Sequence, residues 1–343
     1  MSMKSVAILG CGYIAGEADD SGNRRHIYSH AKAISKHDQV EISACCDVDK
    51  DKLNAFANRW NVPKKYQNIH EMFSNEKIDI LVVSTPTIHH FDNISQALEH
   101  NVKAIFCEKP LAENFEKSLK VTEMAKKSCV ILVVNFMRRW DKIYQKCKNI
   151  LDSGELGRIE TIVCYVDTAL FMNSIHMLDL LLFFGDDILS LVGQLDRLNK
   201  PRIVHGKIDY GGFAYIKHKN GIISFIKASG ESSRNHFFEL DFQCTKGRLR
   251  ILDDDRKYEV YKFAECEEKK WLSELRLEKE VYNDDKHERV VEAYNNIIDC
   301  IDNGSAVKSS GYESLKAMEI IEMIYQSDKK GNKPVYSTLG VSK

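Results

Sequence analysis

Short runs of consecutive apolar residues alternate, over the first 135 positions, with segments whose apolar residues recur at helical spacing. Val6-Ala7-Ile8-Leu9 is the first such run, and others follow at 40–46, 78–83, 102–107 and 130–135. Unbroken apolar runs of this length read as strands buried on both faces, so a parallel sheet is expected. Helices are expected at 50–60, 68–74, 93–100 and 115–127, giving a βαβ series with both sheet faces covered. Beyond position 135 the pattern changes. Strand-like runs at 160–167, 191–195, 212–217, 222–228, 237–243, 248–252 and 258–263 are separated by turn signals such as Lys219-Asn220-Gly221. Phe213-Ala214-Tyr215-Ile216 and Ile223-Ser224-Phe225-Ile226 alternate, which suits a sheet with one face packed and the other available to a partner. The charged stretches 253–257 and 265–270 read as solvated turns. Segments 288–302 and 312–326 read as closing helices that can pack back on the first domain.

At 343 residues the chain has room for two domains, divided here as 1–135 and 136–343. Basic and acidic residues are interspersed and leave a net charge of −1. That excludes an extended nucleic-acid surface and supplies no field to steer the chain to a membrane. No apolar run approaches the roughly 18 residues of a membrane span, and no leader-like apolar segment precedes the first strand. The ten cysteines form no C-x-x-C pair and no cluster at zinc spacing. Reduced thiols in a cytoplasmic protein without a metal site are the expectation.

The first strand ends in Gly10-Cys11-Gly12-Tyr13-Ile14-Ala15, a G-x-G-x-x-A turn. Glycine at its first position allows a sharp bend, glycine at its second allows a pyrophosphate to approach the backbone, and the small third residue allows close packing on the strand. Gly10, Gly12, Tyr13 and Ile14 are therefore candidate dinucleotide contacts. Helical periodicity resumes only near Tyr28, after the polar stretch 17–25. We read an insertion of about ten residues beside the turn, expected to cover the cofactor and to order when it binds. The second strand ends at Asp47, where a carboxylate can accept both ribose hydroxyls of NAD and repel the 2′-phosphate of NADP. As the plainer alternative, Asp47 could simply start the turn into the next helix, and Asp49 is a weaker contender. The third run stops at Ser84-Thr85-Pro86, at the carboxyl end where a switch-point ligand would lie. His89 and His90 follow; a solvated or capping role suits them better than catalysis, and His89 joins Ser84, Thr85 and Pro86 as a cofactor-side candidate.

With Glu108-Lys109-Pro110 after the fourth run, the chain resembles the Gfo/Idh/MocA family, relatives of glucose–fructose oxidoreductase and inositol dehydrogenase. The resemblance continues through Asn135-Phe136-Met137-Arg138-Arg139-Trp140-Asp141, Gly154-Glu155-Leu156-Gly157-Arg158-Ile159, the H-x-x-D of His176 to Asp179, and Ser310-Gly311-Tyr312-Glu313. It implies an α/β chain: an N-terminal Rossmann domain that binds NAD, then an α+β domain with a large, mostly antiparallel open sheet. It also implies that Lys109 lies at nicotinamide and substrate, and that Glu108 holds the nicotinamide-side ribose.

Hydride transfer to or from a carbinol carbon needs a fixed cofactor, an oriented C–H bond and a group to manage the hydroxyl proton. Lys109 suits orientation and polarisation, although an exposed turn lysine would look the same. His176 suits proton exchange, with an unperturbed pKa near 6.5, although a buried hydrogen-bonded histidine would also fit. Asn173, His176 and Asp179 fall roughly on one face of an apolar helix; Asn173 is a substrate candidate and Asp179 a structural residue. Arg138 and Arg139 follow a strand end, where Arg139 could bind an anionic substrate group or either could make surface ion pairs. One departure stands out: many dehydrogenases of the family carry an aspartate four residues before the histidine, where this chain has Met172. An NAD-dependent oxidoreductase of a sugar, polyol or nucleotide-linked sugar is the reading, assembled as a homodimer or homotetramer through Phe213, Tyr215, Phe225 and Phe237. A family member using NAD transiently for elimination or glycoside cleavage, and a non-catalytic NAD-binding regulator, are the alternatives.

Overall fold

The computed structural model describes residues 3–22, 25–204, 207–229, 238–283 and 288–339. These fall into two units, 1–140 with 286–315, and 141–285 with 316–343. The first division of these units lies at 140/141, and Trp140 belongs to the first unit's apolar core.

The first unit is built on six parallel strands: β1 (Lys4–Leu9), β2 (Val40–Cys46), β3 (Lys64–Tyr66), β4 (Ile80–Val83), β5 (Ala104–Cys107) and β6 (Ile131–Val134), in the order β3-β2-β1-β4-β5-β6. β4 and β5 are buried throughout, as their unbroken apolar runs require. Their register aligns the strand ends. Leu9 pairs with both Cys46 and Val83, Val83 with Cys107, and Cys107 with Val134. The residues that follow these positions therefore leave the sheet along one edge. The chain moves from β1 outward to β3 and then back across to β4, so the edge between β1 and β4 is the topological switch point.

Of the two closing helices, Arg289–Asn303 packs into this unit, burying Val290, Tyr294 and Ile297 among the strand residues. The other, Gly311–Lys329, is divided at 315/316, and most of it belongs to the second unit.

The stretch after the glycine turn is held by its own side chains. Asp19 accepts hydrogen bonds from the Tyr28 and Ser29 amides, both 2.9 Å, and from the Ser29 hydroxyl at 2.6 Å. Asp20 pairs with Arg59 on the helix Lys50–Trp60. These carboxylates tie residues 19 and 20 to neighbouring chain by capping local amides and pairing with Arg59. Residues 23 and 24 lie outside the described residues.

The second unit carries a nine-stranded sheet of β7 (Ile159–Val166), β8 (Ile188–Asp196), β11 (Gly211–His218), β12 (Ile223–Ala228), β13 (Phe238–Cys244), β14 (Gly247–Leu252), β15 (Lys257–Glu265), β16 (Ser273–Tyr282) and β17 (Val335–Tyr336). A separate ribbon pairs β9 (Arg202–Val204) with β10 (Lys207–Asp209). The nine run β16-β15-β14-β13-β7-β12-β11-β8-β17, all antiparallel except β7 against β12. Gly193, Ala214, Ile226, Cys164 and Leu240 share the inner face by register. Helix residues cover that face: Phe184 stacks edge-on with Phe242 at 4.7 Å, and Ile324 lies where a Cβ on Gly193 would be 3.2 Å from it. The other face keeps Tyr165, Phe213 and Phe225 exposed. No described helix is long and apolar enough to cross a membrane.

Candidate active site

Gly10 has φ +90°, and its amide donates to the Cys46 carbonyl at 2.9 Å. A Cβ there would lie 2.7 Å from the Thr85 amide nitrogen and 2.8 Å from the Ser84 carbonyl, so β1 and β4 meet only over a glycine. Gly12 is different. A Cβ on it would meet nothing within 4 Å, and its backbone faces open space. Ala15 and Gly16 are buried; a Cβ on Gly16 would press on Trp60 and Phe56 at 2.5 and 2.8 Å. The turn is thus tight where it touches the protein and open where a pyrophosphate would approach. The residues present fit a dinucleotide. Tyr13 is exposed and Ile14 half-buried on the single wide turn Tyr13–Glu17.

Asp47 and Asp49 are separated by their surroundings. Asp47 accepts from the Cys11 amide at 2.7 Å through Oδ2 and from the Asp49 amide at 2.9 Å through Oδ1. Its carboxylate therefore sits directly on the glycine turn. Asp49 caps the next helix, accepting from the Asp51 and Lys52 amides, and those bonds hold its pKa below the usual carboxylate value. Of the two, Asp47 is the one in direct contact with the glycine turn.

Ser84 ties the switch point together: its hydroxyl donates to the carbonyls of Leu9 and Gly10 at 3.1 and 2.9 Å. Thr85 accepts from Asn93 Nδ2 at 2.9 Å through its hydroxyl. Pro86 and His89 are exposed, whereas His90 is buried. His90, absent from the sequence-derived candidates, spans two carbonyl oxygens, Thr85 O through Nε2 and Pro110 O through Nδ1, each at 2.8 Å. The imidazolium form makes both bonds and the neutral ring one. Burial lowers its pKa, against the pull of the two carbonyls and Glu108. It links the ends of β4 and β5 across one ring.

Glu108 is buried and engaged. Its Oε1 accepts from His30 Nε2 at 3.0 Å and Asn135 Nδ2 at 2.7 Å, while His30 Nδ1 meets the Tyr294 hydroxyl at 3.1 Å. Burial alone would raise the Glu108 pKa. The His30 hydrogen bond, with Asn135 and Lys109, outweighs it and holds the pKa below the ordinary value. Lys109, next in the chain, is half-buried. Arg139 is buried, and its guanidinium donates to the Lys308 carbonyl at 3.2 Å, bracing a loop of its own unit. The sequence held no sign of the His30–Glu108–Tyr294 file, because three distant segments supply it.

In the second unit, His176 and Asp179 are buried on the helix Ile175–Gly185. Asn173 is half-buried on a wide turn, Leu170–Ser174, that precedes that helix and breaks its register. The Asn173-His176-Asp179 stripe is therefore not one continuous α-helical face. Asp209 Oδ1 accepts from the Phe171 amide at 3.1 Å, and Ser174 donates to Thr168 O at 2.7 Å. These bonds fix the approach to His176. Among the described residues no group of three metal-ligating side chains occurs.

A parallel sheet with a glycine turn at its switch point and a carboxylate at the second strand end defines a dinucleotide-binding domain. Family models agree: the NAD-binding Rossmann fold of an oxidoreductase family matches residues 4–136, and that family's C-terminal alpha/beta domain matches 167–336. The chain belongs to this family, Gfo/Idh/MocA. It is 29% identical over 241 residues to scyllo-inositol 2-dehydrogenase (NAD(+)) of Bacillus subtilis, covering 65% of this chain and 70% of that one. It is 31% identical over 160 residues to inositol 2-dehydrogenase of Salmonella typhimurium, covering 46% of this chain and 44% of that one, so that match spans under half of the Salmonella enzyme. The WlbA dehydrogenase of Bordetella pertussis, solved with NADH and UDP-GlcNAcA, shares the fold with a TM-score of 0.77 at 18% identity, over 98% of this chain and 99% of that one.

The two glycines separate binding from folding. Gly12→Ala should fold with an unchanged melting temperature yet bind NAD at least about tenfold more weakly, since a methyl would occupy the pyrophosphate approach. Gly10→Ala should lower the melting temperature, because its methyl meets backbone. Paired melting curves and NAD titrations check this; a Gly12→Ala protein that binds NAD normally would contradict the assignment.

Proposed function

We propose that this chain is an NAD-dependent dehydrogenase or reductase moving a hydride between nicotinamide and a hydroxyl-bearing carbon of a sugar, polyol or nucleotide-linked sugar. The observation that carries this reading is the shared strand edge. Gly10, Gly12, Asp47, Ser84, Thr85 and the Glu108-Lys109 turn all follow aligned strand ends. The inositol and nucleotide-sugar dehydrogenases among the relatives support the substrate class. Bound NAD supplies the two-electron acceptor or donor. Asp47 takes the ribose hydroxyls at one end of that site, and Glu108 takes those on the nicotinamide side. Lys109 orients and polarises the reacting hydroxyl through its ammonium, and His176 accepts its proton during oxidation. Asp179 and the Phe171–Asp209 bond are positioning elements for His176.

Free thiols at all ten cysteines support a reducing compartment, and we assign the protein to the cytoplasm. The open face of the nine-stranded sheet supports a homodimer or homotetramer. Tyr165, Phe213 and Phe225 are exposed there, with the Tyr215 ring tilted against Phe225 at 5.5 Å; Phe237 lies outside the described residues. Light scattering should give a dimer or tetramer, and a monomer at micromolar concentration would remove that assignment.

Turnover with NAD and a panel of sugars, polyols and nucleotide sugars tests the enzyme reading. Lys109→Ala should lower kcat strongly with NAD affinity nearly kept. His176→Ala should lower kcat by about 10²–10⁴-fold, the usual cost of a lost general base. Unchanged kcat in both variants would move the chemistry to other residues. NAD binding without turnover on any substrate would favour the regulator reading, which the half-buried Met172 makes specific.

A further inference from the structure

Holding a ribose hydroxyl needs a carboxylate but not the buried file that stands behind Glu108. His30 opens the helix His30–Ile34, Glu108 follows β5, Asn135 follows β6 and Tyr294 lies on the helix Arg289–Asn303. Building on the dehydrogenase reading, we propose that His30 and Tyr294 are positioning residues which, with Asn135, hold Glu108 as an anion with one oxygen committed to the protein and the other presented to a nicotinamide-side hydroxyl.

The proton inventory orders the file. A carboxylate only accepts, so His30 Nε2 carries the proton that faces Glu108 Oε1 at 3.0 Å. In the neutral ring Nδ1 is then an acceptor, and the Tyr294 hydroxyl, 3.1 Å away, is its donor. Tyr294 thereby sets the tautomer that His30 offers to Glu108. The ring has little freedom to turn. Its side chain is fully buried, and Phe106 meets it edge-on at 5.0 Å and 88° while also meeting Tyr294 at 5.5 Å. Asn135 donates to the same Oε1 at 2.7 Å, so two donors converge on one oxygen. The Glu108 side chain keeps 11% of its surface accessible, which leaves room for its second oxygen to take a ligand hydroxyl.

The charged and titratable groups around Glu108 are His30, Lys109, His90, Cys107 and Tyr294. Burial pushes the Glu108 carboxyl toward its neutral form; the His30 bond, Asn135 and Lys109 reverse this. With His30 removed, burial gains the upper hand and the carboxyl takes up a proton nearer neutrality. A group whose pKa lies one unit above the working pH is ionised in about a tenth of molecules, which weakens apparent affinity about tenfold.

Calorimetric titration of the full chain with NAD between about pH 5.5 and pH 9 tests this in the wild type, His30→Leu, His30→Gln and Tyr294→Phe. Wild-type affinity should be flat above pH 6. His30→Leu should bind about tenfold more weakly at pH 6 and recover as pH rises, because the ionised fraction of Glu108 rises. His30→Gln, whose amide can still donate to Oε1, should restore most of the affinity. Should His30→Leu fail to fold, as a melting curve would reveal, Tyr294→Phe decides: it loses one oxygen and should show the same pH dependence to a smaller degree. Affinity in the folded variants as high and as flat as in the wild type overturns the proposal, as does a His30→Gln protein no better than His30→Leu. Sugar turnover is scored separately. The expected affinity pattern without turnover keeps the positioning role and removes the dehydrogenase reading, whereas wild-type turnover with flat affinities does the reverse.

Discussion

The site depends on one register. Four backbone bonds continue the ladder just past the strands: Gly10 N to Cys46 O, Ser84 N to Leu9 O, Glu108 N to Val83 O and Asn135 N to Cys107 O, each 2.9 Å. They bring the first residues after β1, β4, β5 and β6 to one edge at adjacent strand spacings. A slip of one residue would turn each side chain to the opposite face. The same alignment demands glycine at position 10, because the backbone leaving β4 passes where any Cβ would sit.

Along that edge three carboxylates are given different work by their surroundings. Asp49 is spent on a helix terminus, Asp47 rests on the glycine turn, and Glu108 is buried against His30 and Asn135. Chemically these are near-identical groups. What separates them is the set of donors each one faces. His90 extends the same logic to the backbone, bridging carbonyls that follow two neighbouring strands and so joining the Thr85 loop to the turn that carries Lys109.

Sequence patterning revealed the first unit well, because strands buried on both faces must be apolar throughout. The glycine turn and the placement of Asp47 beside it were legible for a related reason: both are local, set by backbone conformation and by a strand end. What stayed hidden has a common cause. β16 is exposed on nearly every residue, and its alternation of Leu275, Leu277 and Val281 is set among charges, so it did not read as a packed strand, and the ribbon of β9 and β10 is too short to show any pattern. The wide turn Leu170–Ser174 interrupts what looked like continuous helical spacing from Asn173 to Asp179. His30, Asn135 and Tyr294 are united only by the fold, and no spacing along the chain announces them. The resemblance located Lys109 and His176 by motif, while the structure adds the groups that hold Glu108 beside Lys109.

The central claim is that the aligned edge is an NAD site whose selectivity rests on Asp47. Two like unit charges about 4 Å apart repel by about 4 kcal/mol at an effective dielectric of 20, roughly a thousandfold in binding before salt screening. Side-by-side calorimetric titration of the wild-type chain with NAD and NADP at physiological ionic strength measures this directly. One NAD per chain, with NADP at least tenfold weaker, is the result the account predicts; NADP bound as tightly as NAD, or neither bound, would contradict it.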